Sequence, residues 1–175
     1  MSAIGPVLSL GMFLFSLVLL GGDANVSAPL EQHPISELLK SNELKFHKYN
    51  EDFQDFAKRM PSASSGYTAA SGLQTIAETA EDELHAVSVF VEIHDITSCA
   101  EDRTKIEKVI HRETLTYSER MGPQELLIVA LPVSTRRPQI KVEAGQMRDD
   151  LTKAANLLRT IELHTFPQAP AQQNP

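Results

Sequence analysis

Apolar side chains recur at steps of three and four residues through most of this chain, and this spacing constrains the fold more than any other feature. Such stepping puts apolar side chains on one face of a helix, which must then be buried against another element. The sequence therefore predicts an all-α antiparallel bundle of about four main helices, at about 34–60, 68–97, 99–121 and 138–163. The four apolar faces are formed by Phe46, Tyr49, Phe53, Phe56 and Met60; by Leu73, Ala77, Ala80, Leu84, Val87 and Val91; by Ile106, Ile110, Tyr117 and Met121; and by Met147, Leu151, Ala154, Leu158 and Ile161.

Residues that start or stop helices stand between these segments. Pro34 suits a first helical turn, and residues 61–66, PSASSG, form a Ser- and Gly-rich connector. Ser98 with Glu101 matches a capping box at the start of the third helix. Gly122-Pro123 is expected to end that helix and to start a short apolar segment before the fourth.

Some segments also fit β-strands. Val87, Val89 and Val91 alternate with other residues, but the three-and-four stepping begins well before them, which favours a helix over residues 70–97. The apolar run LLIVALPV and the alternating IKVEA leave a second fold open. This alternative is an α+β protein with a small hairpin at residues 125–144 and STRRPQ as its loop.

The N-terminal region has the composition of an export segment. Residues 4–20 are uncharged and rich in Leu, Val and Phe, and small residues follow, with Gly22 and Ala24 suitably placed before a signal-peptidase cut. We therefore expect residues 1–24 to be a signal peptide, or a membrane anchor if they are not cleaved, because 17 residues is the lower limit for crossing a bilayer. A helical bundle domain at 30–164 and a disordered Pro/Gln-rich tail at 165–175 would follow. The predicted location is periplasmic, extracellular or anchored, with membrane contact only through residues 4–20.

The charge of the chain argues against nucleic acid as a partner. The formal net charge is −7 with 16 Lys and Arg residues, and no basic run is longer than Arg136-Arg137. A nucleic-acid surface needs clustered cations that replace counterions. Arg136 and Arg137 lie in a Pro-flanked segment and are candidates for binding a smaller anion.

Residues 81–95, EDELHAVSVFVEIHD, place two histidines among five carboxylates and resemble a metal or proton-transfer site more than any other segment does. His94 follows His85 by nine positions, which amounts to 900° of helical rotation, so the two rings lie on opposite sides of one helix. They cannot share a metal ion. Glu81 and His85 instead lie on an acidic stripe that is either a solvated face or a weak cation site, because zinc requires three or four converging ligands.

Two further residues are candidates by environment. Glu113 falls on the face of Ile106, Ile110 and Tyr117, and burial would raise the pKa of its carboxyl group, as general acids require. A hydrogen bond to an Arg or Tyr of a neighbouring helix is the structural alternative. Cys99 is the single cysteine and cannot close an intrachain disulfide. It is expected to be a small core residue at a helix start, or else to form an intermolecular disulfide.

No catalytic or cofactor-binding signature accompanies these residues. The sequence contains no HExxH, CxxC or GxSxG motif and no phosphate-cradling glycine loop, so no cofactor is predicted. We therefore expect a non-catalytic binding, scaffold or self-association role through the apolar seams, with a protein partner or a second copy of the chain. The alternative is a small helical enzyme or metal-binding protein that uses a buried polar cluster around Glu113.

Overall fold

Over residues 35–165, the protein is an all-α bundle of four long helices and one short one. A computed structural model describes the backbone of residues 35–165 and the side chains of residues 35–163. The helices are α1 (Ile35–Lys58), α2 (Ser65–Ile96), α3 (Ala100–Met121), α4 (Gln124–Ala130) and α5 (Pro138–Thr165), with a 3-10 turn, Leu131–Val133, after α4. This architecture confirms the predicted fold class. The predicted export segment, Pro34 and the tail beyond residue 165 lie outside the described residues.

The four long helices run antiparallel to their neighbours. On α1 and α2, His47 contacts Glu81 while Glu43, nearer the start of α1, contacts His85, farther along α2. On α1 and α5, the Tyr49 hydroxyl donates a hydrogen bond to Asp150 Oδ2 at 2.9 Å, while Met60, just past the end of α1, lines a cavity together with Ile140 near the start of α5. Short connectors between consecutive helices favour this arrangement because they leave no length for a crossover.

The predicted apolar faces meet in one core. Its buried aromatic members are Phe46, Tyr49, Phe53 and Tyr117, and aliphatic side chains from α2, α3, α4 and α5 pack around them. The Tyr117 hydroxyl donates to the Leu151 carbonyl oxygen at 3.5 Å, which ties α3 to α5 within this core. The buried aliphatic residues include Leu39, Leu73, Leu84, Ile110, Met121, Ile128, Ile140, Met147, Leu151 and Leu158.

Residues 125–144 contain helices and no strand, so the hairpin alternative for this segment is wrong. α4 and the 3-10 turn occupy residues 124–133, α5 begins at Pro138, and the described residues contain no strand. A helix satisfies its backbone hydrogen bonds within the segment, whereas an isolated strand pair leaves both edges open. Pro132, which cannot donate to a β-ladder, is buried in the 3-10 turn.

The start of α3 differs from the prediction. Cys99, and not Ser98, occupies the N-cap position, and no side chain caps the helix there. The predicted capping box is therefore wrong, because a helix that begins one residue later puts Ser98 out of register with the first turn. Cys99 is exposed, which also corrects its assignment to the core. The pKa of the nearby Asp102 carboxyl group is lowered, mainly by its hydrogen bond with Lys105.

Within residues 35–165, none of the helices combines enough length with enough apolar character to cross a membrane.

Candidate functional site

Glu113, the candidate catalytic residue, lies at the edge of the core on α3. Its side chain is mostly buried, and its Oε1 accepts hydrogen bonds from Arg112 Nε at 2.9 Å and Nη2 at 2.7 Å. This partner is the preceding residue on the same helix, and not an Arg or Tyr of a neighbouring helix. Glu113 also lines none of the described cavities. Among the described residues, Glu113 therefore has a local ion pair with Arg112 and no further hydrogen-bond partner.

Glu81 and His85, the candidate metal ligands, have separate partners on α1. Glu81 Oε1 lies 2.7 Å from His47 Nδ1, and its Oε2 accepts from Asn50 at 3.5 Å. His85 Nδ1 lies 2.9 Å from Glu43 Oε1. The two residues thus belong to two parallel His–Glu contacts that join α1 to α2. Over the residues that the structure describes, no group of three or more His, Cys, Asp or Glu side chains could hold a metal ion.

Two more histidines make the same kind of contact elsewhere in the bundle. His94 is buried, and its Nε2 lies 3.4 Å from Glu107 Oε1 on α3. His111 Nδ1 on α3 lies 2.8 Å from Glu162 Oε1 on α5. Each histidine with a described side chain therefore faces a glutamate of a different helix. Sequence reasoning placed His85 and His94 on opposite sides of α2 but named none of these partners.

A buried charge that the sequence analysis missed lies between α2 and α3. Glu83 is buried, and the Arg120 guanidinium contacts its Oε1 from a largely exposed position. The sequence contains only a weak indication that Glu83 is buried, namely that it directly precedes Leu84 of the apolar face. Several other acidic residues lie nearby and do not differ from it in the sequence pattern. Glu83 lines none of the described cavities, and its pair with Arg120 joins α2 to α3.

Arg136 and Arg137, the candidate anion ligands, lie at the end of the bundle where α1 turns into α2. Two adjacent cavities, of about 250 Å³ and about 220 Å³, open there and share Met60 and Arg137 as lining residues. Arg59, from the end of α1, lines the first cavity, and Arg136 lines the second. The fold thus brings a third arginine, which the sequence analysis did not single out, to the two predicted ones.

α4 carries an apolar surface that no described element covers. Leu126, Leu127, Val129 and Val133 form this α4 surface, and Leu126 and Val133 are 77% and 73% exposed. Ile128 is the one buried residue of α4, while its polar residues Gln124 and Glu125 are only half-buried. The usual distribution, with apolar residues inside and polar residues outside, is therefore inverted along this helix.

The fold and these sites together define an all-helical bundle with an uncovered apolar helix and an arginine-lined end. Comparison of the chain with protein-family models, with curated proteins and with solved structures finds no match in any of the three.

Proposed function

We propose that this protein is a non-catalytic helical binding protein that associates with a second copy of itself through the α4 surface. The observation that supports this role is the inversion along α4, where the large apolar residues are more exposed than the polar ones. Surfaces of this kind on soluble proteins often mark interaction sites. The seams from which association was first expected are buried inside the bundle, so they are not available to a partner.

The size of the α4 surface fits a weak dimer. Its four side chains expose on the order of 400 Å² of mainly apolar surface in total, but Leu127 lies about 160° around the helix from Val129. One partner can therefore cover less than half of the area that one side of a stable interface contributes. A second copy suits this surface because a two-fold axis places the same patch on both partners, and none of its four residues is charged. The net charge of −7 opposes close approach of two copies, which also favours weak and salt-dependent association.

Sedimentation equilibrium over a range of protein concentrations tests this proposal. The wild-type chain is expected to show a concentration-dependent rise in average mass that increases with salt. The double variant Leu126→Glu/Val129→Glu should remain a monomer, because it places two carboxylates in the centre of the contact. The change lies on exposed positions, so the helical circular dichroism signal should stay the same.

A matched control distinguishes association through the α4 surface from nonspecific association through other exposed apolar residues. Leu44→Glu/Val142→Glu adds the same charge at two exposed apolar positions on α1 and α5. This control should associate as the wild type does. A wild-type chain that stays monomeric at every concentration, or a control variant that loses association equally, would contradict the proposal.

We also propose that the bundle works outside the cytosol, either exported or anchored through its N-terminus. The support is the composition of residues 4–20 and the small residues that follow them. Fractionation of expressing cells with N-terminal sequencing of the product is the test. A mature N-terminus near residue 25 supports export with cleavage, and a full-length product in the membrane fraction supports an anchor. A full-length product in the cytosol is inconsistent with both.

A further inference from the structure

We propose that the two arginine-lined cavities at the α1–α2 end of the bundle form one binding site for a phosphate group. The site consists of Arg59, Arg136 and Arg137 with the hydroxyl groups of Ser64 and Thr135. It is distinct from the α4 surface, because none of the residues that line either cavity belongs to that surface.

The charge of the site is the first argument. The lining supplies three guanidinium groups, and no described residue that lines either cavity is acidic, although the whole chain carries a net charge of −7. Within residues 35–163, the side chains of Arg136 and Arg137 make no ion pair or hydrogen bond. Arg59 makes only a long exposed contact with Asp55, at 3.5 Å. Guanidinium groups that are free of carboxylates can take the planar, paired hydrogen bonds that phosphate oxygens accept.

The hydroxyl groups of the walls are the second argument. Ser64 Oγ accepts the backbone N–H of Tyr67 at 3.1 Å, and Thr135 Oγ1 accepts the backbone N–H of Arg137 at 3.2 Å. A hydroxyl that accepts a hydrogen bond still has its own proton to donate. Thr135 is buried beside the cavity, so its position is set by the fold. Both hydroxyls can therefore add a donor to those of the arginines.

The third argument is that the walls of the site are fixed to each other. Ser65 Oγ, at the start of α2, donates a hydrogen bond to the Ser134 carbonyl oxygen at 3.2 Å, which joins the α1–α2 connector to the segment before α5. Gly66 lies so close to Met60 that a Cβ there would be 2.6 Å from Met60 Sδ. The arginines thus project from a closely packed frame, which lowers the entropic cost of binding an anion.

Phosphate could reach this site as the free ion or as the headgroup of a lipid, and two titrations distinguish these sources. In the first, inorganic phosphate is added to the ¹⁵N-labelled bundle, and amide shifts are followed by NMR. We expect saturable shifts at Ser65, Gly66, Thr135 and Arg137. In the second, the protein is sedimented with phosphatidylcholine vesicles with and without phosphatidic acid. Binding only to the vesicles that contain phosphatidic acid would identify the lipid phosphate as the ligand.

The variant Arg136→Ala/Arg137→Ala tests the assignment. It should weaken phosphate binding by about tenfold or more, because at least one charge-assisted hydrogen bond is lost. Arg103→Ala/Arg159→Ala is the matched control, since it removes the same charge from two exposed arginines that line neither cavity. Equal thermal unfolding of the two variants shows that the comparison concerns binding and not folding.

Three outcomes would overturn the proposal. The first is the absence of binding in both titrations. The second is an equal loss of affinity in the two double variants, which would mean that only the overall charge matters. The third is a set of saturable shifts located away from the two cavities. Phosphate should still bind to the variant Leu126→Glu/Val129→Glu. This result would show that phosphate binding does not depend on the proposed self-association.

Discussion

At the scale of single residues, Glu83 depends most on a single partner. Its carboxylate is buried between α2 and α3, and Arg120 reaches it from a position that is 62% exposed. A buried carboxylate costs several kcal/mol unless an opposite charge and hydrogen bonds compensate for the lost water. The arginine therefore matters more to the fold than its surface position implies.

We predict that Arg120→Ala lowers the free energy of unfolding by about 1 to 3 kcal/mol, because it leaves the buried Glu83 carboxylate without its partner. Urea denaturation followed by circular dichroism measures this change. Arg148→Ala is the control, since Arg148 pairs with Asp149 on the surface and such pairs contribute roughly 0 to 1 kcal/mol. Equal effects of the two substitutions would show that Glu83 is well solvated.

Sequence reasoning found the residue types at these positions but not their partners. The helical angle between His85 and His94 is a local property, so the sequence could place them on different sides of α2. Their partners depend on how one helix is shifted along the next. Glu43 lies 42 residues from His85, and Arg59 reaches the cavity of Arg137 only after α1 and α5 have packed. No spacing rule within one helix contains this information.

At the scale of helices, the starts of α2 and α3 were harder to predict than their interiors, whereas α3 ends at Met121 and α5 begins at Pro138 as predicted. The apolar stepping of α2 was correct, but the helix begins at Ser65 and not near residue 68. The Ser64 side chain caps it by accepting the Tyr67 N–H, so the Ser-rich connector contains the cap itself. The same logic explains α4, where a short apolar run fits a strand or a helix equally well until its neighbours are known.

Two glycines within helices give a paired prediction. A Cβ at Gly145 of α5 would meet no atom within 4 Å apart from the adjacent residues and the backbone of its own helix, whereas one at Gly72 of α2 would lie 2.9 Å from Leu131 Cδ1. We expect Gly145→Ala to raise the free energy of unfolding by about 0.5 to 1 kcal/mol, because alanine has the higher helix propensity. Gly72→Ala should gain less or be destabilising, because Leu131 must move.

Thermal and urea denaturation of the two alanine variants measure this difference. Because the gain in helix propensity is similar at both positions, the difference between them reports the contact between α2 and the 3-10 turn. Equal stabilisation at both sites would mean that Leu131 moves aside freely and that the turn packs loosely on α2. Loss of stability in Gly145→Ala would contradict the open environment of that residue.

At the scale of the whole molecule, histidine–glutamate contacts join all four long helices. His47 and His85 link α1 with α2, His94 links α2 with α3, and His111 links α3 with α5. A protonated imidazole strengthens such a contact, and histidine is the side chain whose charge changes near neutral pH. The contact between His47 and Glu81 therefore couples the packing of α1 against α2 to pH.

His47 gives this coupling a defined sign. The hydrogen bond with Glu81, followed by the charges of Glu81, Glu51 and Glu43, raises the pKa of His47 above its usual 6.5. A raised pKa in the folded state means that the contribution to stability is complete below about pH 6.5 and is lost as the pH rises through the folded-state pKa. Burial and the nearby Asp52 raise the pKa of Glu143. This carboxyl group therefore also makes the bundle less stable as the pH rises, but at lower pH than His47 does.

We therefore predict that the urea midpoint of the wild-type bundle falls between about pH 6 and about pH 8, and that His47→Gln makes this decrease smaller. Lys48→Gln is the neighbouring control. Lys48 pairs with Asp52 on the same exposed stretch of α1, and its ammonium group stays protonated over this range. The control should lose the same amount of stability between the two pH values as the wild type.

A His47→Gln variant with an unchanged pH dependence would show that His47 takes up no proton in this pH range when the bundle folds. A wild-type midpoint that rises with pH would contradict the prediction, because a histidine whose pKa is raised on folding stabilises the bundle less as the pH increases. Groups whose pKa is lowered on folding would then dominate the pH dependence.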